Sequence, residues 1–266
     1  MHSPSFFPLR RVCKVPKSPF LVMRYGEGTA PNELRHLAKR HWCAQVNPDA
    51  KTLASAQAIQ QLSLVFRDAA GEMASYNVGN FSRVSRAKED ARLHSIPFEV
   101  PTEAVRRSSP VLAAFGLTLR DLKDSDCNWL TADEVLFHAD EMMAEDRAFL
   151  VWQVAGPAKT LEFSALGIGL HTSVGTAVLF DGLQPHAVRS SKNAGRPFKK
   201  NCEHIRLKED LRARDIAVYL SMDVPLTPAL CELMQIDVAQ SQDELEETRL
   251  EVKEYTGDLA LWKPGQ

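Results

Sequence analysis

Three residues of this chain have the chemical types and the spacing to hold one metal ion: His138, Asp140 and His186. His138 and Asp140 end the apolar run Val135-Leu136-Phe137, and residues two apart in a β-strand point to the same face. A second imidazole from a neighbouring strand, His186, would complete two histidines and one carboxylate on one side of an ion. That donor set leaves three coordination positions open and suits a non-haem Fe(II) that reacts with oxygen.

The sequence around these residues gives the pattern its weight. With eight histidines and 34 acidic residues, one His-x-Asp pair is expected by chance alone. However, the pair here lies at the end of a predicted strand and is followed by a polar segment and the apolar strand Phe149–Val154. His186 follows Gly175–Gly182, which has the pattern of a strand and a turn. The order, the spacing and the strand context of these residues therefore all favour one shared metal site.

Length and composition exclude several classes of protein. A chain of 266 residues with 44% hydrophobic and 25% charged residues is typical of a globular domain with one sizeable core. The net charge of −2 argues against an overall electrostatic attraction of the chain to nucleic acid or anionic lipid. No apolar run reaches the roughly 18–20 residues of a membrane span, so we expect no membrane partner. Five scattered cysteines without a Cys-x-x-Cys pair predict free thiols and a cytoplasmic location.

The predicted type of secondary structure changes twice along the chain. Residues 1–120 predict a mostly helical N-terminal support, with helices from Pro31, over Leu53–Phe66 and near Thr102–Phe115. Residues 121–225 contain short β-branched and aromatic runs separated by turn residues, which predict a sandwich or barrel. Residues 226–266 predict a helical C-terminal segment that includes a charged helix ending near Gly257. We therefore expect a single domain, 1–266, of the α+β class.

Residues 125–225 resemble the Fe(II)/2-oxoglutarate-dependent oxygenases. The matching pieces are His138-Ala139-Asp140, the strand from Phe149 to Gly156, the segment Gly175–Gly182, and Pro185-His186. The resemblance implies a double-stranded β-helix (jelly-roll) core and a dioxygenase that uses Fe(II), with 2-oxoglutarate and O2 as co-substrates. It also implies that His138, Asp140 and His186 are both the metal ligands and the catalytic centre.

In this family an Arg or Lys on the last barrel strand pairs with the distal carboxylate of 2-oxoglutarate. Arg196 lies ten residues after His186, which is the usual family interval, but Pro197 and the following residues make a poor strand. Arg214 precedes Ile216–Leu220, a much better final strand, and is preferred over Arg196. Asn128 resembles an Asn that helps to bind the keto acid in the nucleic-acid demethylases of the family.

The sequence thus predicts an oxygenase that hydroxylates or demethylates its substrate and releases succinate and CO2. Two other readings stay open. One is a cupin-like metal protein without 2-oxoglutarate chemistry, although the sequence has no His-x-His pair. The other is a non-catalytic globular or interaction protein. The primary substrate is not identified by the sequence: a small molecule, a modified nucleic acid and a protein are all compatible with it.

Overall fold

The computed structural model describes residues 11–13, 20–24, 41–61, 93–96, 100–132, 134–140, 146–198, 216–236 and 249–261. The strands within these residues are, in chain order, β1 Arg11–Cys13, β2 Phe20–Arg24, β3 Trp42–Val46, β4 Leu93–Ile96, β5 Cys127–Ala132, β6 Val135–His138, β7 Arg147–Ala155, β8 Lys159–Phe163, β9 Ile168–Thr172, β10 Ala177–Phe180, β11 His186–Ser190, β12 Ala217–Pro225, β13 Leu250–Val252 and β14 Leu259–Leu261. The helices are α1 Ala50–Gln61, α2 Thr102–Arg107, α3 Ser109–Ala114 and α4 Pro228–Met234, with a 3-10 helix at Leu119–Leu122.

Seven strands form an antiparallel sheet in the order β2-β3-β10-β7-β12-β5-β4. Its centre is the pair of nine-residue strands β7 and β12, whose sequences are rich in β-branched and aromatic residues. The register of this pair shifts between Val218 and Tyr219, which marks a bulge. The long central pair gives the sheet a rigid middle against which the other strands align.

A second sheet has the order β1-β9-β8-β11-β6. It is antiparallel except for the parallel contact of β1 with β9. The described chain is thus mostly antiparallel sheet with few helices, which is consistent with the predicted α+β class. The third sheet is only the hairpin of β13 and β14.

The two large sheets face each other across one apolar cluster. Cys43, Val151, Val178 and Phe180 come from the seven-stranded sheet, while the second sheet adds residues such as Leu161, Phe163, Leu170 and Val188. The opposite face of the seven-stranded sheet carries Trp129 and Trp152 and packs on residues of α1 and α3. Alternation of side chains along each strand produces this division. The space between the sheets is where the candidate site lies.

Most predicted strands are present. The predicted runs at 129–130, 135–137, 149–154, 161–163, 177–180 and 216–220 all fall in or overlap β5, β6, β7, β8, β10 and β12. The sequence reasoning did not predict β1, β3, β4 or β9, and it expected His186 on a neighbouring strand without giving bounds for β11. Strand β9, Ile168–Thr172, has Gly169 and His171 at alternate positions, which masks its β character. In addition, a Cβ on Gly169 would lie only 2.8 Å from the side chain of Thr160.

The helical predictions are only partly right. Helix α1 begins earlier than predicted, because the Asp49 carboxylate accepts a hydrogen bond from the Thr52 backbone N–H at 2.7 Å and caps its first turn. The predicted helix near 102–115 is broken into two at Ser108, since Pro110 cannot donate a backbone hydrogen bond within one continuous helix. The helix predicted from Pro31 and residues 62–66 of the second helix lie outside the described residues.

The prediction of a charged helix ending near Gly257 is wrong for residues 249–261. These residues form the β13–β14 hairpin, which turns at Gly257 with a φ of 75°. Phe137 packs so closely there that a Cβ on Gly257 would lie 2.7 Å from its ring. The hairpin and the loop at Phe198 cover the outer face of β6 and β11. Among the helices that the structure describes, none is both long and apolar enough to span a bilayer.

Candidate metal centre

The three residues singled out by the sequence lie together at the edge of the second sheet. His138 is the last residue of β6, and His186 is the first residue of β11. These strands are antiparallel, and their register puts His186 directly opposite His138. Asp140 lies just beyond β6, where its backbone N–H donates to the Gly182 carbonyl at 2.8 Å. Pairing of β6 with β11 therefore brings the two ends of the motif to one point.

The ligand atoms are close enough to share one ion. His138 Nε2 lies 3.6 Å from one carboxylate oxygen of Asp140, and His186 Nε2 lies 3.7 Å from the other. All three ligand atoms lie within 4.8 Å of one another. A first-row divalent ion bonds such atoms at about 2.0–2.2 Å, so an ion fits between them with small side-chain adjustments. Within the described part of the chain, this is the one group of three or more such residues.

Backbone carbonyls fix the tautomer of both imidazoles. His138 Nδ1 lies 2.8 Å from the Leu136 carbonyl, and His186 Nδ1 lies 2.9 Å from the Gln184 carbonyl. A carbonyl only accepts, so each Nδ1 carries the proton and donates it. Each Nε2 is then left with its lone pair, which is the form that binds a metal. The same hydrogen bonds also set the orientation of the two rings.

Electrostatics keeps His186 neutral. Burial and, to a lesser extent, the nearby His138 lower its pKa to about 4, although Asp140 and the hydrogen bond to the Gln184 carbonyl partly oppose both effects. His186 is 4% exposed and packs against the rings of Phe163 and Phe180. A proton therefore does not compete with a metal for His186 Nε2 at neutral pH.

The turn before β11 is held in place by buried hydrogen bonds. The Gln184 side-chain amide donates to the Trp42 carbonyl at 2.6 Å, across to strand β3 of the other sheet. The Leu183 N–H donates to the Asp181 carboxylate at 3.0 Å. Because the Gln184 carbonyl orients His186, this bond to β3 is one link between the two sheets at the site.

The triad opens on a cavity of about 370 Å³ between the sheets. Its walls are mainly apolar, and its polar lining consists of the triad, Asp126, Asp223 and Tyr219. Its apolar lining residues are Leu130, Ala132, Phe149, Val151, Leu161, Phe180 and Val188. A mostly apolar cavity with a few convergent polar groups is the usual form of a small-molecule site.

Polar side chains also lie on the inner faces of strands β8, β9 and β12. Lys159 is 1% exposed, and alternation along β8 places it on the same face as Leu161 and Phe163. Its partner in register on β9 is Thr172, which is also buried. Thr172 lies near Tyr219. Burial raises the pKa of Tyr219, and the Thr172 hydroxyl offsets only part of that rise. Neither hydroxyl completes a hydrogen bond of ordinary geometry within the described residues.

Of the other predicted site residues, Arg196 and Asn128 are described by the structure, and neither lines the cavity. Arg196 is exposed in the turn after β11, where its carbonyl accepts a hydrogen bond from Arg189 at 2.9 Å. Asn128 is exposed on β5, with its carbonyl accepting from the Ser221 hydroxyl. Arg214 lies outside the described residues.

Sequence reasoning missed Lys159, Tyr219, Asp126 and Asp223. A signal for Lys159 was present: in Lys159-Thr160-Leu161-Glu162-Phe163 the lysine shares the alternating positions of two apolar residues. Tyr219 likewise lies at an inner position of the final strand. The family pattern puts the basic partner on the last barrel strand, after His186, whereas Lys159 precedes His186.

Neither a protein-family model nor a curated protein matches this sequence. Among solved structures, AviO1 from Streptomyces viridochromogenes Tue57 is similar at 12% identity over 71% of this chain and 92% of that one, with a TM-score of 0.32. The viral collagen prolyl hydroxylase vCPH from Paramecium Bursaria Chlorella virus-1 is similar at 12% identity over 58% and 84%, with a TM-score of 0.28. An oxidoreductase of the 2OG-Fe(II) oxygenase family from Burkholderia pseudomallei is similar at 11% identity over 48% and 53%, with a TM-score of 0.24. Similarities this low carry no argument about the reaction, so the site is judged on its own geometry.

Proposed function

We propose that this protein is an Fe(II)- and 2-oxoglutarate-dependent dioxygenase that hydroxylates or demethylates an organic substrate. The observation that carries the proposal is the convergence of two imidazole Nε2 atoms and one carboxylate at an apolar cavity. Two imidazoles and one carboxylate leave three open positions on an Fe(II) ion. When bound, iron and 2-oxoglutarate supply with O2 the oxidising chemistry, and succinate and CO2 are the co-products.

The chain's own residues fit that group of ligands. His138 and His186 would bind through Nε2, and Asp140 would supply the one negative charge. The Nδ1 donations to Leu136 and Gln184 carbonyls hold the rings in orientation and raise their basicity as ligands. The aromatic rings of Phe149, Phe163 and Phe180 form an apolar wall beside His186, which limits the access of water.

We further propose that Lys159 binds the distal carboxylate of 2-oxoglutarate. A dicarboxylate entering the space between the sheets needs a cation at its far end, because a buried carboxylate is costly unless it is paired. Lys159 does not itself line the cavity, but it is fully buried on the strand face that carries the lining residue Leu161, and its register partner Thr172 has a hydroxyl group that can donate. Arg214 and Arg196 stay as the alternatives predicted from the sequence.

The strand order supports a jelly-roll core as part of the proposal. Between β5 and β12 the chain places β5, β7, β10 and β12 in one sheet and β6, β8, β9 and β11 in the other. Neighbours are β5-β12-β7-β10 in the first and β6-β11-β8-β9 in the second. Such winding between two facing sheets is what a double-stranded β-helix requires. We therefore assign the catalytic core to residues 121–225, with 1–120 and 226–266 as supporting segments.

An anaerobic titration tests the proposal. Protein with Fe(II) should develop a weak visible charge-transfer band when 2-oxoglutarate is added, as expected for a bidentate keto acid on iron. His138→Ala should give no band. Metal binding without a band and without calorimetric binding of 2-oxoglutarate would instead favour the cupin-like reading. If His138→Ala keeps both the band and the metal binding, the assignment of the metal site is wrong.

A further inference from the structure

Two carboxylates face the same cavity as the triad, from adjacent strands of the other sheet. Both Asp126 and Asp223 line it. Strands β5 and β12 pair in register up to Met222 opposite Cys127, and the Asp223 N–H then donates to the Asp126 carbonyl at 3.1 Å. The two aspartates are therefore cross-strand neighbours at the end of this pair of strands.

Their placement is unfavourable for the fold by itself. Like charges directly opposite each other on paired strands are destabilising. Burial raises the pKa of Asp223, Asp126 raises it further, Arg147 lowers it in part, and Asp140 also raises it. Three carboxylates, Asp126, Asp140 and Asp223, thus line one end of the cavity. Two of them lie outside the candidate metal ligands, so a metal at the triad would not account for them.

The nearest cation does not bond to the carboxylates of the pair. Arg147 donates to the Ser125 hydroxyl at 3.1 Å and to the carbonyls of Asp223 at 3.3 Å and Asp124 at 3.1 Å. Across the ranges that the structure describes, neither Asp126 nor Asp223 forms a salt bridge. The guanidinium is held by main-chain and hydroxyl oxygens, and both carboxylates keep acceptor capacity toward the cavity.

The cavity itself provides a second, independent sign of an organic ligand. Between the acidic end and Tyr219 its wall is apolar, with Leu130, Val151 and Leu161 among the lining residues. Tyr219 is 3% exposed, and its hydroxyl lines the cavity without a hydrogen-bond partner of ordinary geometry in the described residues. Such a cavity accepts an aliphatic body, while its acidic end selects the charge of a head group.

We propose that the primary substrate is an organic cation, an aliphatic chain ending in an ammonium or guanidinium group, which Asp126 and Asp223 bind beside the triad. This inference rests on the proposed function for its chemistry and deepens it by naming the class of substrate. A cation bound between the two carboxylates relieves their repulsion and forms charge-assisted hydrogen bonds. Its adjacent carbons then lie next to the metal ligands. Phosphate-rich substrates are disfavoured by the same two charges.

Equilibrium binding tests the inference without requiring turnover. The main probes are acetylated tripeptide amides that contain lysine, arginine, norleucine or citrulline, so that only the lysine and arginine side chains are cationic. The four free amino acids, which also carry an α-ammonium group, are compared with them. Calorimetry is performed on the full chain with and without Ni(II) and 2-oxoglutarate. The cations should bind on the order of tenfold or more tightly than the neutral analogues. Stronger binding of free amino acids or of peptides identifies the source of the cation.

Matched variants locate the effect. Asp126→Asn and Asp223→Asn should each weaken cation binding on the order of tenfold, with little change for norleucine. Asp124→Asn is the control, because Asp124 is exposed, does not line the cavity, and interacts with Arg147 through its carbonyl. Asp126 is exposed, so Asp126→Asn should have little effect on folding. It remains a valid test if Asp223→Asn lowers the melting temperature.

Two results would overturn the inference: neutral analogues binding as tightly as the cations, or an equal loss of cation binding in Asp124→Asn. Retention of full cation affinity by both cavity variants would do the same. Failure of the proposed function is separate, because it appears as the absence of the charge-transfer band with 2-oxoglutarate. Cation selectivity measured by calorimetry stands or falls independently of that band.

Discussion

His138 and His186 lie opposite each other on antiparallel strands, with ring centroids 4.4 Å apart and ring planes at 51°. Both rings donate from Nδ1 to the carbonyl two residues earlier in the chain. The same local hydrogen bond thus orients both rings, His138 at the end of β6 and His186 at the start of β11. Asp140 then lies within 4 Å of both Nε2 atoms. This relationship determines what the site can bind.

Removal of one imidazole should abolish specific metal binding. His138→Ala deletes a direct ligand, so affinity for Mn(II) or Ni(II) should fall by more than the about 10- to 100-fold typical of losing a supporting hydrogen bond. Calorimetry or metal analysis after dialysis measures this. His171→Ala is the matched control, because His171 Nδ1 contacts Thr160 and lies outside the triad. Equal losses in both variants would refute the assignment.

The apoprotein should lose stability on mild acidification. The pKa of His186 is about 4 in the folded state against an ordinary value of 6.5. Between these values the unfolded chain binds the proton and the folded chain does not. Stability is therefore full above about pH 6.5 and falls as the pH drops toward 4, by at most on the order of 3 kcal/mol from this group.

Urea unfolding of metal-free protein at pH 7 and pH 5 measures this effect, with His186→Asn as the comparison. The difference in unfolding free energy between the wild type and the variant should shrink at pH 5. A difference that does not change with pH would mean that His186 is not held neutral by burial.

Lys159→Met should weaken 2-oxoglutarate binding by about 1.5–3 kcal/mol, the scale of a charge-assisted hydrogen bond. Arg196→Ala should leave the affinity unchanged, since Arg196 is exposed and away from the cavity. Anaerobic calorimetry with Mn(II) gives the affinities.

Arg214→Ala decides between the two origins of the anchoring cation. If its effect exceeds that of Lys159→Met, the prediction from the sequence is right and the assignment of Lys159 is withdrawn. Equal small effects of all three variants would mean that none of these residues binds the distal carboxylate.

Two glycine substitutions separate backbone strain from steric overlap near the site. Gly116 and Gly257 both have positive φ, at 68° and 75°, but a Cβ on Gly116 meets nothing within 4 Å. Gly116→Ala should therefore cost only about 1–2 kcal/mol of left-handed strain. Gly257→Ala should cost clearly more, because its Cβ would lie 2.7 Å from the ring of Phe137.

Phe137 precedes His138, so Gly257→Ala should also weaken Ni(II) binding while Gly116→Ala does not. Thermal unfolding and calorimetry measure the two effects. Similar costs for both substitutions would show that Phe137 yields without disturbing the strand, and the expected link between hairpin and site would be absent.

The sequence by itself determined the local features of this protein. Short β-branched and aromatic runs separated by turn residues located six of the strands, because strand propensity and turn chemistry depend on neighbouring residues. The spacing of His138 and Asp140 made a shared site plausible for the same reason. The hairpin of β13 and β14 was missed because its acidic residues also suit an exposed helix, and packing against Phe137 and Phe198 decides between the two.

Only the tertiary structure decided which distant residues meet. The register of β6 with β11 sets His186 against His138, and the register of β8 with β9 sets Lys159 against Thr172. Neither can be read from periodicity, since strand partners are selected by contacts between residues far apart in the chain. The interval of ten residues from His186 to Arg196 runs through a turn, and only the tertiary structure shows that Arg196 is exposed there.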